Sequence, residues 1–146
     1  MSLANRIDDG FSTTLSFSAN PTLEFYEVEV QPPGWEGGEP IDTTTMRNTT
    51  LETFSPQALM SLTPITVSAA YTSDIFHLTT GVKSMINVNQ QVTVTLPDGA
   101  TVVFWGYVKN FSPPSHVKGQ RPLASLTIHP TNVNASKVET LPVFST

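Results

Sequence analysis

Acid–base or metal chemistry would begin at the histidines and carboxylates. The chain has three histidines, His77, His116 and His129. None stands at metal-ligand spacing from another histidine or a carboxylate, so the pattern offers no zinc site. His77 falls inside a segment of helical period and His129 ends an extended run, where a histidine is ordinarily structural. No Gly-x-Ser-x-Gly elbow, Ser-x-x-Lys pair or phosphate-binding glycine loop occurs. Gly37-Gly38 has no helix behind it and reads as a flexible turn. With 0 cysteines, disulfides, thiolate metal sites and cysteine nucleophiles are excluded. The expectation is a protein that is not an enzyme, with no catalytic residue, no metal and no cofactor.

Two features remain. Glu24, Glu27, Glu29, Glu36 and Glu39 form an acidic segment. Paired carboxylates serve glycoside hydrolysis, but Glu27 and Glu29 alternate with Tyr26, Val28 and Val30, the pattern of a solvated strand face. Such a face could also line a channel and repel passing phosphates, which makes Glu27 and Glu29 candidate lumen residues. Trp35 sits in a loop rich in Pro and Gly. It either anchors a partner or a sugar, or folds back on its own domain.

The 146 residues fit one domain. Only 13% are charged, against about 25% in an ordinary soluble domain. Hydroxyls take their place, with 21 Thr and 14 Ser. Threonine is β-branched and suits a pleated, half-exposed strand. A surface so poor in charge suits a protein covered largely by copies of itself. The net charge of −5 and seven scattered basic residues argue against tight nucleic-acid binding. Only 109–121 brings three basic residues close together. No apolar run reaches membrane-spanning length, and the segment MSLANRIDDG has no apolar stretch of a secretion signal. Manufacture in a cytoplasm is expected, and the three Asn-x-Ser/Thr matches are read as chance.

Periodicity places the elements. Residues 14–18 and 22–30 alternate as strands. Residues 31–46 (QPPGWEGGEPIDTTTM) read as a long loop or hairpin, followed by a short strand over 47–53 and a Ser-Pro helical turn over 56–61. Strands follow at 64–72, 90–96, 101–111 and 123–129, and Pro97-Asp98-Gly99 marks a hairpin turn. Ile75, Leu78, Val82 and Met85 recur at spacings of three and four, which predicts an amphipathic α-helix over about 74–86. Residues 101–111 are apolar on both faces, with Trp105, Tyr107 and Phe111 together on one of them and so candidates for a subunit interface. The tail after Pro130 carries a possible strand at its end. The predicted fold is mainly β, a β-sandwich or barrel-like sheet with one flanking α-helix.

The run Glu39-Pro40-Ile41-Asp42-Thr43-Thr44-Thr45-Met46, then Glu52, a Ser-Pro turn, the strand Ile65 to Tyr71, a helix, the Pro97-Asp98-Gly99 hairpin and Phe104-Trp105-Gly106-Tyr107-Val108 resembles the siphophage major tail (tail tube) proteins. The resemblance covers about 22–130. It implies a single tail-tube-like domain over 1–146, with 1–10 as N-terminal arm, 31–50 as inter-ring loop and 131–146 as C-terminal arm. It further implies six-fold rings that stack into the DNA-conducting tube of a long non-contractile tail, assembled in the bacterial host cytoplasm and located in the virion. Trp35, Pro40, Ile41, Asp42 and Thr43 would then carry ring-to-ring contacts. The implied partners are copies of the chain, a tape measure protein, and tail terminator and distal tail proteins. DNA would pass in transit without specific binding, and no membrane is involved. Two other readings stay open: a type VI secretion or contractile-tail inner tube protein, and a carbohydrate-binding β-sandwich using Trp35, Trp105 and Tyr107 as a platform.

Overall fold

The computed structural model describes residues 13–23, 25–77 and 79–146. Eleven strands run through them: β1 (Thr14–Phe17), β2 (Tyr26–Val30), β3 (Trp35–Glu36), β4 (Ile41–Asp42), β5 (Phe54–Ser55), β6 (Ser61–Leu62), β7 (Ile65–Ala70), β8 (Gln90–Thr95), β9 (Thr101–Ser112), β10 (Leu123–Pro130) and β11 (Val143–Ser145). They fall into two compact units: Pro33–Thr63, and the rest of the chain. The residues expected as a long loop, 31–50, lie mostly in the smaller unit.

The larger unit is one antiparallel 7-stranded sheet in the order β1-β8-β9-β10-β7-β2, with β11 added to β9. Its two end strands meet. The backbone N–H of Leu15 in β1 donates to Glu27 Oε1 in β2 at 3.0 Å, and the Phe17 and Phe25 rings sit 5.7 Å apart. The sheet therefore curls towards closure, which protects edges that a flat sheet would leave open. Alternate residues point into the curl. Ile65 and Val67 of β7, Val92 and Val94 of β8, Val108 of β9 and Ile128 of β10 are all 0% exposed. Each such side chain contributes about 1.5–3 kcal/mol when withdrawn from water. The expected hairpin is present: Leu96 N–H donates to Ala100 O at 2.8 Å, and Gly99 takes φ 90.

The α-helix expected over 74–86 is not formed. Two 3-10 turns, Ser73–Phe76 and Val82–Met85, stand there instead. The apolar spacing still works, because Ile75, Val82 and Met85 are buried; position 78 lies outside the described residues. The helix fails at Thr79-Thr80-Gly81, where β-branched residues and glycine disfavour it. His77 Nδ1 accepts the backbone N–H groups of Thr79 and Thr80 at 3.3 and 3.4 Å, a side-chain alternative to the helical ladder. Gly81 closes the link against backbone, since a Cβ there would lie 2.5 Å from His77 O and 2.6 Å from Ile75 O. Gly81→Ala should therefore cost about 1–3 kcal/mol or more in urea denaturation. Gly37→Ala, where an added Cβ meets nothing within 4 Å, should stay within about 0.5 kcal/mol.

The tail after Pro130 folds back. Val133 bridges Glu139, and Asn134 Oδ1 accepts from the N–H groups of Ser136 and Val138 at 2.9 and 3.1 Å. β11 then pairs antiparallel with the first residues of β9. The expected N-terminal arm, 1–10, lies outside the described residues.

The smaller unit is a nested hairpin. β3 pairs β6 and β4 pairs β5, both antiparallel. Neither the strand expected at 47–53 nor the helical turn expected at 56–61 forms. Asn48 organises a turn, and Gln57 Nε2 donates to Glu39 O at 2.9 Å, tying the return segment to the outgoing one.

Candidate assembly surfaces

Ile41 to Thr45 build the neck of the hairpin. Thr43 N–H donates to Thr53 O at 2.9 Å, extending the β4–β5 ladder. Thr44 replaces a ladder partner with its side chain: its Oγ1 accepts Thr53 N–H at 2.9 Å and donates to Thr53 O at 3.3 Å. Asp42 Oδ1 accepts Thr44 N–H at 2.9 Å, and Asn48 Oδ1 accepts Thr45 N–H at 3.0 Å. A hydroxyl-rich segment is thus needed to close this hairpin, whatever it later touches. Outward from the neck, Trp35 and Ile41 are 59% and 49% exposed, and Pro40 and Asp42 are exposed too. Leu62 opposite Trp35 is buried.

The bond from Thr44 N–H, and behind it the Thr44 hydroxyl, hold the Asp42 carboxyl below its ordinary value. A depressed carboxylate pKa means the turn is stabilised above the ordinary value and loses that support as pH falls through the folded one. In an NMR titration, the Thr44 amide shift should follow Asp42 with a midpoint below the ordinary aspartate value. Asp42→Asn should abolish that titration.

On the larger unit, two bulges rearrange what alternation alone implies. The register of β2 on β7 shifts between Glu27 and Glu29: Glu27 lies opposite Ala69, and Glu29 opposite Ser68. Ala69 is on the buried face and Ser68 on the other, so Glu27 and Glu29 do not share a face. Glu27 is half-buried and spent on Leu15 N–H, whereas Glu29 is exposed. A second bulge in β9, at Lys109, sets Phe111 opposite Leu126 and Val108 opposite Ile128. Phe111 therefore joins the core face and leaves Trp105 and Tyr107 on the other. One extra residue flips every side chain beyond it, and neither Val28 nor Lys109 announces this in the sequence.

The outer face carries Trp105 and Tyr107 half-buried, with Tyr107 directly opposite His129 and their rings 5.8 Å apart. The same face carries the hydroxyls of Thr66, Ser68, Thr93, Thr95, Ser125 and Thr127 and, on the end strand β2, the carboxylate of Glu29. The end of the sheet holds an aromatic shelf that the alternation did not reveal. Tyr71 meets Phe76 at 5.0 Å and His116 at 5.1 Å, and Phe76 meets Phe111 at 5.3 Å. Among the described residues no cluster of three or more His, Asp or Glu could hold a metal ion.

No protein-family model matches the chain, and no curated protein sequence does. Solved structures do resemble it. A chain in the structure of the PVC sheath/tube terminator, from an extracellular contractile injection system in the extended state, superposes with TM-score 0.63 at 11% identity, covering 93% of this chain and 94% of that one. A chain of the virion of a native gene transfer agent particle gives TM-score 0.64 at 9% identity, covering 96% and 100%. A chain of the six-fold-symmetrised baseplate of the anti-feeding prophage gives 0.55 at 10% identity, covering 82% and 87%. At these identities the likeness is one of fold alone: the chain is a β-rich protein whose fold is shared with chains of these three particles.

Proposed function

We propose that the chain is a tail tube subunit. Six copies form a ring, and rings stack into the DNA-conducting tube of a long non-contractile phage tail. The observation that carries this is the likeness of fold, over 82–96% of the chain, to chains of a virion, of a contractile injection system and of a prophage baseplate. The composition supports it: a surface rich in Thr and Ser and poor in charge tolerates extensive burial by copies of itself. Adjacent subunits continue each other's sheets, so that the ring removes the exposed edges of β2 and β11. The hairpin 33–63, with Trp35, Pro40, Ile41, Asp42 and Thr43, makes the ring-to-ring contacts. The outer face lines the lumen, with Glu29 as its carboxylate; Glu27 holds β1 to β2 instead. Trp105 and Tyr107 lie at subunit boundaries on that face, while Phe111 acts through the aromatic shelf. A tape measure protein fills the tube during assembly, terminator and distal tail proteins close its ends, and DNA passes without specific binding.

A second reading, a ring that closes a tube rather than extends it, is favoured by the likeness to a chain from a sheath/tube terminator structure. Negative-stain electron microscopy of the purified chain over a concentration series separates them. Stacked hollow tubes support the tube subunit. Rings that never stack support the closing ring. A monomer at every concentration and after long incubation overturns both.

A further inference from the structure

The loop joining β9 to β10 is basic and close to the aromatic shelf. Between Ser112 and Leu123 it carries Lys118 and Arg121 and no carboxylate, and Lys109 near the end of β9 brings the segment 109–121 to a charge of +3. Lys118 sits on a turn closed by Gln120 N–H to Val117 O at 3.1 Å, with Gly119 at φ 84. All three cations are exposed. The same loop brings His116 edge-on to Tyr71, and Tyr71 N–H donates to Pro122 O at 3.2 Å, so charge and shelf form one surface.

The hairpin unit has the opposite character. Pro33–Thr63 carries Glu36, Glu39, Asp42 and Glu52 against Arg47, a charge of −3. All four carboxylates are exposed, and none of these seven opposed charges is held in an ion pair among the described residues. Exposed apolar side chains accompany them: Trp35, Ile41, Phe54 and Met60. A basic loop beside half-exposed aromatics and an acidic hairpin with exposed aliphatic and aromatic residues match in sign, magnitude and apolar content.

We propose that the hairpin unit of one copy docks on the basic segment 109–121, the end of β9 and the loop after it, and on the Tyr71–Phe76 shelf of the next copy. The occupant is a second copy of this chain. The contact is heterologous: each copy offers one hairpin and one shelf, so a docked pair keeps one of each free and the contact propagates. This deepens the tube reading and rests on it, by naming the receiving surface for the ring-to-ring hairpin. Opposed charges steer the approach and fix register, while the aromatics supply the buried contact.

The absence of cysteine makes the test direct. Full-length Glu39→Cys and Lys118→Cys chains are mixed and treated with a short bismaleimide, so any product between the two variants joins different copies. The expected product is the mixed cross-link, about tenfold over either self-linked product and suppressed in about 1 M salt, where screening is short-ranged. The paired reversal Lys118→Glu/Arg121→Glu should cut assembly at least about tenfold, and Glu36→Lys/Glu39→Lys in the same chain should restore it. Tubes by microscopy with no mixed cross-link, or a reversal without effect, overturn the docking and leave the tube reading standing. A mixed cross-link without rings or tubes upholds the docking and overturns the tube. Neither cross-link nor assembly overturns both.

Discussion

Replacing residues 35–61 by two glycines should leave a folded sheet that no longer stacks. The ends of the excised segment are already together: Thr63 N–H donates to Gly34 O at 2.9 Å, and Gly34 N–H donates to Thr63 Oγ1 at 2.9 Å. A short link therefore closes the gap with little loop entropy. Of the buried apolar residues, Leu62 alone belongs to Pro33–Thr63, so the excision leaves the core untouched. The melting temperature followed by circular dichroism should move by only a few degrees, as for a surface change away from core packing. Assembly seen by microscopy or sedimentation should disappear. A smaller cut over 31–46 would be a poorer test, because it strips β3 and β4 from β6 and β5 and exposes unpaired edges. Tubes of normal length from the 35–61 excision would remove the hairpin from any role in stacking.

The readable part of this fold is the part written in period two. β7 and β8 bury every second residue, so their sequences alternate and their extents were legible to within about two residues. The Pro97-Asp98-Gly99 turn was legible because glycine alone takes its positive φ without cost. Strand order was not. β1 pairs with β8, more than seventy residues away, and no local pattern encodes a partner at that distance. The candidate sites were legible by residue and illegible by face. Glu27 and Glu29 drew attention as carboxylates, and Phe111 as an aromatic in an apolar strand. The bulges beside them then decided where each one points. The segment 74–86 shows a third kind of limit. Its apolar spacing satisfies a helix, yet His77 and Gly81 satisfy the backbone another way, and the same residues stay buried. The Ile41-Asp42-Thr43-Thr44-Thr45 run carried the family resemblance, and its structural meaning, side chains standing in for ladder partners, needed the position of Thr53.

Phe104→Ala should be the most damaging single substitution in the sheet, and its neighbour Trp105→Ala should scarcely affect folding. Phe104 is 1% exposed and heads the fully buried side chains by volume. It lies opposite Val92 in the ladder, and a Cβ on Gly106 would come within 3.3 Å of its ring edge and 2.9 Å of His129 O. Buried at the centre of a sheet among fully buried side chains, it leaves a cavity that its neighbours fill only in part. Truncation of a buried phenylalanine costs about 3–5 kcal/mol, a large share of the 5–15 kcal/mol that holds a domain together. For a chain of this length that is a fall in melting temperature of about 10–15 °C. Trp105, one residue on, points to the half-exposed outer face beside Tyr107, and its removal opens no cavity in the core. Its stability cost should stay below about 2 kcal/mol, and its effect should appear in ring formation. Urea denaturation paired with microscopy on both variants checks the division. A Trp105→Ala chain that unfolds like Phe104→Ala would make that face core rather than boundary. One that assembles at the wild-type rate would remove Trp105 from the subunit contact.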